Sequence, residues 1–337
     1  MSQTRRTLLK ASLALGAASA LPFPMLARAG EKISMKCGTN VPMTHPIYLR
    51  LQEASEKILK DSDGRVQFKI FPNGQLGGDT EMLSQARSGS LEFVTMPGVI
   101  LANLTKMASL NSVGFAFDNY PEVWKAMDGE LGQFIREHIS KANLMVFEKV
   151  WDNGFRHITS RSPIQTVEDL QGVKIRVPVS AMLLSIFKSI GSSPTSLNFS
   201  ELYSALQTHI MDAQENPLPI IYTGKLYEVQ PNLALTGHAW DGYWLLSSKR
   251  IWDKLPQDVQ QILSVHLNAA AVEQRKDSEK LGLDLQAELT TKGMNTTTPD
   301  KESFRSKLAQ GGYYAEWKKK MGDEAWDILE KSTGRKI

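Results

Sequence analysis

Strand and helix signals alternate along almost the whole chain, and that alternation limits the fold more than any other feature. Ile33, Met35 and Cys37 alternate as a strand, then Leu51, Ala54, Ile58 and Leu59 recur at helical spacing. Asp61-Ser62-Asp63-Gly64 stops that helix, and Val66, Phe68 and Ile70 predict a second strand turned by Pro72-Asn73-Gly74. A helix is expected from Asp79 or Thr80, both competent caps, and a buried strand over 91–96. Val123, Trp124, Met127, Leu131, Phe134 and Ile135 predict one helix after Pro121, followed by a strand over 144–151. Val173, Ile175 and Val177 predict another strand, with helices over 181–190 and 201–207. Short strands are expected over 210–213, 233–236 and 243–246. The stretch 256–289 lacks internal proline and has only Gly282, so it reads as one long helix, or two with a bend at Gly282. The pattern indicates α/β layers with largely parallel sheets. At 337 residues there is room for two domains. No linker separates them, so they are expected as two lobes joined by crossing strands, with a cleft between them.

The N-terminus reads as a targeting segment. Thr4-Arg5-Arg6-Thr7-Leu8-Leu9-Lys10 resembles a twin-arginine export motif, residues 13–21 are apolar, and Ala27-Arg28-Ala29 fits a small-x-small cleavage site. The apolar stretch is too short to cross a bilayer, and Pro22 and Pro24 interrupt it. The expectation is cleavage after Ala29 and export to a bacterial periplasm. The first 29 residues hold four of the 39 basic residues and no acid. Without them the basic residues number one fewer than the 36 acidic ones. The formal charge of +3 therefore belongs to the export segment, which argues against a nucleic-acid partner. One cysteine, Cys37, excludes an internal disulfide framework and a cysteine-rich metal site.

Catalytic signatures are missing. There is no G-x-S-x-G elbow, no G-x-G-x-x-G after a strand, no phosphate-binding loop and no H-E-x-x-H. Neither a cofactor nor a metal is expected, and an enzyme reading has no residues to name. Two arginines stand out instead. Arg156 closes Trp151-Asp152-Asn153-Gly154-Phe155-Arg156 after the predicted strand, and Arg176 sits at the end of another in Val173-Lys174-Ile175-Arg176-Val177-Pro178. A charge beside a core needs a partner. Either the partner is internal and the residue is structural, or the guanidinium fork is open to a carboxylate. Asn216, in Asp212-Ala213-Gln214-Glu215-Asn216-Pro217, offers a donor and an acceptor, or else serves an Asx turn.

Together these segments resemble the periplasmic solute-binding proteins of TRAP transporters, the DctP-like family. Further matching segments are Phe71-Pro72-Asn73-Gly74-Gln75-Leu76-Gly77-Gly78-Asp79, Phe199-Ser200-Glu201-Leu202-Tyr203 and Tyr227-Glu228-Val229-Gln230, in the family's order. The resemblance implies an α/β, two-lobed clamshell with a long helix bracing both lobes. Lobe I is expected over 30–153 plus about 242–281, and lobe II over 154–241 plus about 282–337. It implies a protein that captures an organic acid without chemistry and delivers it to the membrane subunits of an ion-driven permease; a monomer is expected. Arg176 would grip the ligand carboxylate, with Arg156 and Asn216 completing the anchor. Phe199 would pack on the ligand face or serve as core. His209 and Ala213 stand where the family often has glycine, and Pro97 stands where sialic-acid-binding relatives place a carboxylate, which argues against that ligand.

The remaining cleft candidates are Asn40, His45, Asp79, Glu81 and Asp241, with Trp240 and Tyr243 as possible stacking partners. Asp79 could equally be a helix cap, Glu81 a solvated first-turn charge and His45 loop packing. A second ligand carboxylate would be repelled by Asp79 or Asp241. The residues therefore favour a hydroxylated monocarboxylate such as a uronic or other sugar acid. The alternatives are an aromatic acid, a dicarboxylate, or a sensor presenting the same ligand to a receptor.

Overall fold

The computed structural model describes residues 32–337. The export segment over 1–29 and its cleavage site lie outside the described residues. The strands are β1 (Ile33–Gly38), β2 (Val66–Phe71), β3 (Phe93–Pro97), β4 (Leu144–Val146), β5 (Trp151–Ser160), β6 (Lys174–Val177), β7 (Ser193–Ser196), β8 (Ala213–Pro217), β9 (Asn232–Ala234), β10 (Trp240–Ser248) and β11 (Asn295–Thr297). They pair in the order β2-β1-β3-β10-β5-β8-β6-β7, with β4 on β10 and β9 bridging β5 and β11.

The flanks of this arrangement are parallel and its centre is not. β1 runs parallel to β2 and β3, and β6 parallel to β7 and β8. β10 is antiparallel to β3 and β5, and β5 is antiparallel to β8. The largely parallel expectation therefore holds only for strands linked by helices. The two long central strands belong to both halves of the molecule. Trp151–Phe155 of β5 pairs with β10, and Arg156–Ser160 pairs with β8 and β9. The register slips between Asp241 and Gly242 on β10. Opposite the slip, Gly154 has φ +112°, a conformation side chains rarely allow. The chain bends there, next to Arg156 and Asp241.

A helix over Gln257–Thr291 ties the halves together. At 35 residues it is about 50 Å long. Val259, Leu263, Leu267 and Ala271 enter one core with Ile47, Leu51 and Phe68. Leu285 and Leu289 enter another with Leu202, Leu206 and Leu233. Where it passes β5, Gln274 behaves like a backbone amide: Nε2 donates to Asp152 O and Oε1 accepts from Asp152 N, both at 2.8 Å. Arg275 donates to Val150 O at 2.8 Å and pairs with Asp128 at 2.8 Å. A third core joins Trp317, Trp326 and Leu329 of the C-terminal helices to Val123, Leu131 and Phe187.

Several local expectations are corrected. The helix expected after Pro121 is two, Tyr120–Met127 and Glu130–Ser140, because the chain turns at Asp128-Gly129. The strand expected over 144–151 is the short β4, and Trp151 opens β5 instead. Arg156 consequently lies inside a strand, not after one. The strand expected over 210–213 is β8 (Ala213–Pro217), because His209, at φ +60°, turns the chain first. Asn216 is thus a strand residue, and the Asx-turn alternative falls away. Gly78, not Asp79, caps the helix Asp79–Ser88, so Asp79 is its first residue. The helix Gln257–Thr291 is continuous through Gly282.

Candidate ligand-binding site

Strand pairing between β5, β8 and β10 gathers charged groups that are far apart in sequence. Arg156 faces Pro217 across the β5–β8 ladder, so its side chain meets Glu215 and Asn216. Nε donates to Glu215 Oε2, and Nη2 to Glu215 Oε1 and O, both at 2.9 Å. Nη2 also reaches Asn216 Oδ1 at 3.2 Å, and Nη1 donates to Asp241 Oδ2 at 2.6 Å. All these groups are buried. Burial works against the Arg156 charge, but Glu215 and Asp241 outweigh it and raise its pKa. Burial would likewise raise Glu215, yet Arg156 and a hydrogen bond from His238 hold it low. His238 Nε2 stands 3.1 Å from Glu215, and its Nδ1 is 2.7 Å from Thr236 Oγ1. Arg156 is therefore a braced internal ion pair with one Nη1–H to spare.

Arg176 differs. It is as buried as Arg156, at 1% exposure. Its Nε and Nη2 both donate to Leu197 O, at 3.0 and 2.7 Å. Nη1 has no partner, and among the described residues no carboxylate lies within ion-pair distance. Burial lowers its pKa to about 10, with Glu215 opposing that shift and Arg156 adding to it. A buried cation with a spare N–H and no anion within ion-pair distance is costly.

Around the two arginines lies a ring of incompletely satisfied polar groups. His45 caps the helix Pro46–Asp61: its Nδ1 accepts from Ile47 N at 3.2 Å, which puts the ring proton on Nε2, and Nε2 is buried without a partner. Burial lowers its pKa to about 3, against the neighbouring Asn153 side chain, which favours the charged form, so the ring is neutral and faces Asn153. Asn153 donates to Asp241 Oδ2 at 3.1 Å, while Asn153 Oδ1 and Asp241 Oδ1 are both unpartnered. Asp79 Oδ1 is unpartnered too. Burial raises the Asp79 pKa to about 6, against the Arg176 charge, the Asn40 amide and the Phe199 backbone N–H. Asn40 Oδ1 accepts from Tyr243 Oη at 2.9 Å. The Asn216 amide donates to Gln214 Oε1 at 2.6 Å.

Arg156, Arg176, Asn216, Asn40, His45, Asp79 and Asp241 thus form one connected buried group, and Phe199 is half-buried at its edge. Glu81 does not join them: it is exposed and turned towards Gln85. Trp240 belongs to the core, where its Nε1 donates to Asp152 Oδ1 at 2.8 Å and its ring meets Phe117 and Trp124 edge-on. Sequence reasoning assigned no role to Asn153, Glu215 or His238. The first two sit inside the Trp151–Arg156 and Asp212–Pro217 segments. Nothing in sequence marks His238, whose neighbour Glu215 is brought up by β8.

A family model described as bacterial extracellular solute-binding protein, family 7 (DctP), matches residues 37–320. The 2,3-diketo-L-gulonate-binding periplasmic protein YiaO of Escherichia coli is 31% identical, over 72% of this chain and 74% of its own. The sugar acid binding protein DctPAm of Advenella mimigardefordensis, solved with galactonate, superposes with a TM-score of 0.87 at 30% identity, covering 90% of this chain and 98% of its own. A TRAP periplasmic solute-binding protein of Sulfurospirillum deleyianum, solved with succinate, superposes with a TM-score of 0.85 at 28% identity, covering 91% of this chain and 100% of its own. The α/β two-lobed fold, the helix shared by both halves and the match over most of the chain have one reading: this protein belongs to the DctP family of bacterial extracellular solute-binding proteins, which bind solutes and are not enzymes.

Proposed function

We propose that this periplasmic protein binds a hydroxylated monocarboxylate, a uronic or other sugar acid, and delivers it to a TRAP permease. One observation carries the choice of ligand. The buried cluster offers one cation without an anion of its own, Arg176, beside acceptors that lack donors: Asp79 Oδ1, Asn153 Oδ1 and Asp241 Oδ1. One carboxylate satisfies the first, and hydroxyl groups satisfy the others. A second carboxylate would face acceptors and acids. The relatives named for diketogulonate and galactonate support this reading, and the succinate-bound one supplies the competing class.

In the proposed mechanism Arg176 takes the carboxylate. Arg156, fixed by Glu215 and Asp241, lends its remaining N–H, and the free Asn216 amide hydrogen adds another donor. His45 Nε2–H and the three acceptors read hydroxyls. Asn40, held by Tyr243, keeps Asp79 in place, and Phe199 covers the cleft edge. The lobes pivot where β5 and β10 cross, with 30–153 plus about 242–281 on one side and 154–241 plus about 282–337 on the other, the C-terminal helices reaching back to the first side through Trp326 and Leu329 against Val123 and Leu131. Closure follows only from tighter binding to the closed form. The test is calorimetry of the mature protein against gluconate, galactonate, glucuronate, succinate and benzoate. Binding of a sugar acid is expected. Heat from succinate or benzoate alone would overturn the ligand class.

A further inference from the structure

We propose that the cleft continues beyond its acid-binding end into a second sugar subsite, so that the ligands include sugar acids carrying a further glycosyl residue. The inference rests on the sugar-acid reading above. A cavity of about 370 Å³ begins at Asn40, Asp79 and Phe199 and ends at Tyr203, Lys225 and Glu228. That volume lies within the roughly 300–1,000 Å³ of small-molecule sites. Arg176 is not part of its wall. Asp79 is the link, because its carboxyl feels the Arg176 charge on one side and lines the cavity on the other. A ligand whose carboxylate rests on Arg176 reaches Asp79 with its hydroxyls, and whatever follows enters the cavity.

The lining suits a sugar ring. The half-buried Phe199 ring offers an apolar surface of the kind that packs on a sugar face. At the far end Tyr203 Oη donates to Glu228 Oε2 at 2.8 Å, and Lys225 Nζ stands 3.8 Å from Glu228 Oε1. These groups hold a donor and acceptors where ring hydroxyls would lie. Gly77 and Gly78 leave one side without side chains. Acids stand at both ends, Asp79 and Glu228, and the lone lysine at the rim already faces one of them. A second carboxylate is thereby disfavoured, while a neutral hydroxylated ring is accommodated.

The test compares gluconate with three of its 4-O-glycosyl derivatives, lactobionate, cellobionate and maltobionate, by calorimetry of the mature protein. At least one derivative is expected to bind as tightly as gluconate. Ser200, exposed on the cavity wall, is the position to block it. In Ser200→Trp the glycosylated acid should weaken at least about tenfold while gluconate stays within about twofold. Tyr203→Ala, which removes the far wall, should weaken the same ligand selectively and serves if Ser200→Trp folds poorly. Binding of gluconate with failure of all three derivatives overturns the subsite, as does an equal loss of both ligands in both variants. Failure of every hexonate and hexuronate removes the sugar-acid reading itself, and the subsite with it.

Discussion

Arg156 and Arg176 bring the same guanidinium into one buried region, but their partners predict opposite consequences of removal. Arg156→Ala leaves Glu215 and Asp241 buried without their cation. The expected cost is about 3–5 kcal/mol of stability, read as a melting temperature lower by on the order of 10 °C. Arg176→Ala leaves no acid stranded, so melting should hold or rise while calorimetry loses about 2–5 kcal/mol of binding. Unchanged melting in the first variant or unchanged binding in the second would reverse the assignment. Asp79 adds a pH dependence. Its folded pKa, near 6, is above the usual carboxylate range, so the folded state holds the proton more tightly than the unfolded chain. Stability is therefore greatest below about pH 4 for this group and declines as pH rises towards 6. Asp152, raised by burial to about 7, acts in the same direction. A ligand carboxylate on Arg176 further opposes Asp79 ionisation, alongside Asp241, so affinity should fall as pH rises through about 6. Asp79→Asn should flatten that profile, and a profile of equal slope in the variant would exclude Asp79. The arginines were legible because charge in apolar strand sequence is conspicuous. That one is ion-paired and the other is not was illegible, because Glu215 and Asp241 lie 59 and 85 residues from Arg156 and only strand register delivers them.

The long helix is legible from local sequence, the turn at Asp128-Gly129 that splits the helix after Pro121 is a local signal hidden by a continuous apolar pattern, and the strands set by pairing are displaced. The helix Gln257–Thr291 follows from thirty-five residues without proline, and its apolar face is visible in Val259, Leu263 and Leu267. β8 was placed early because Ile210 and Met211 look like strand residues, while pairing with β5 starts at Ala213. The parallel expectation missed β10 in the centre because nothing local in 240–248 reveals which strands it will join. Gly282 allows a direct test at this scale. It lies inside the long helix, and a Cβ there would meet nothing within 4 Å. Gly282→Ala should stabilise the protein by about 0.8–1.0 kcal/mol, measured as a shift in the urea midpoint at constant slope. A destabilised variant would mean the helix needs glycine at this position.

At the mouth of the cleft the walls around Asp79 and Phe199 meet at a few small contacts, and these bear on closure. Thr80 Oγ1 stands 3.4 Å from Asn198 Oδ1, and a Cβ on Gly78 would lie 3.3 Å from the Asn198 side chain. Asp79, between Gly78 and Thr80, is favoured in its charged form by the Phe199 backbone N–H on the opposite wall. The glycine lets Gly77-Gly78-Asp79 approach the start of the helix Phe199–Gln207 closely. A large side chain there would hold the walls apart without touching either core or the arginines. Gly78 has φ −67°, so substitution brings no backbone strain. Because affinity for a closing protein scales with the population of its closed form, Gly78→Phe should weaken ligand binding by about tenfold or more while leaving the ligand-free melting temperature near that of the parent. Small-angle scattering supplies the independent readout: the parent should contract on adding ligand, and the variant should contract less at saturation. Equal contraction with equal affinity would show that the Gly78–Asn198 approach does not govern closure. In that case the helix rooted in both cores, by Leu263 and Leu267 at one end and Leu285 and Leu289 at the other, would be left as the main restraint on lobe movement.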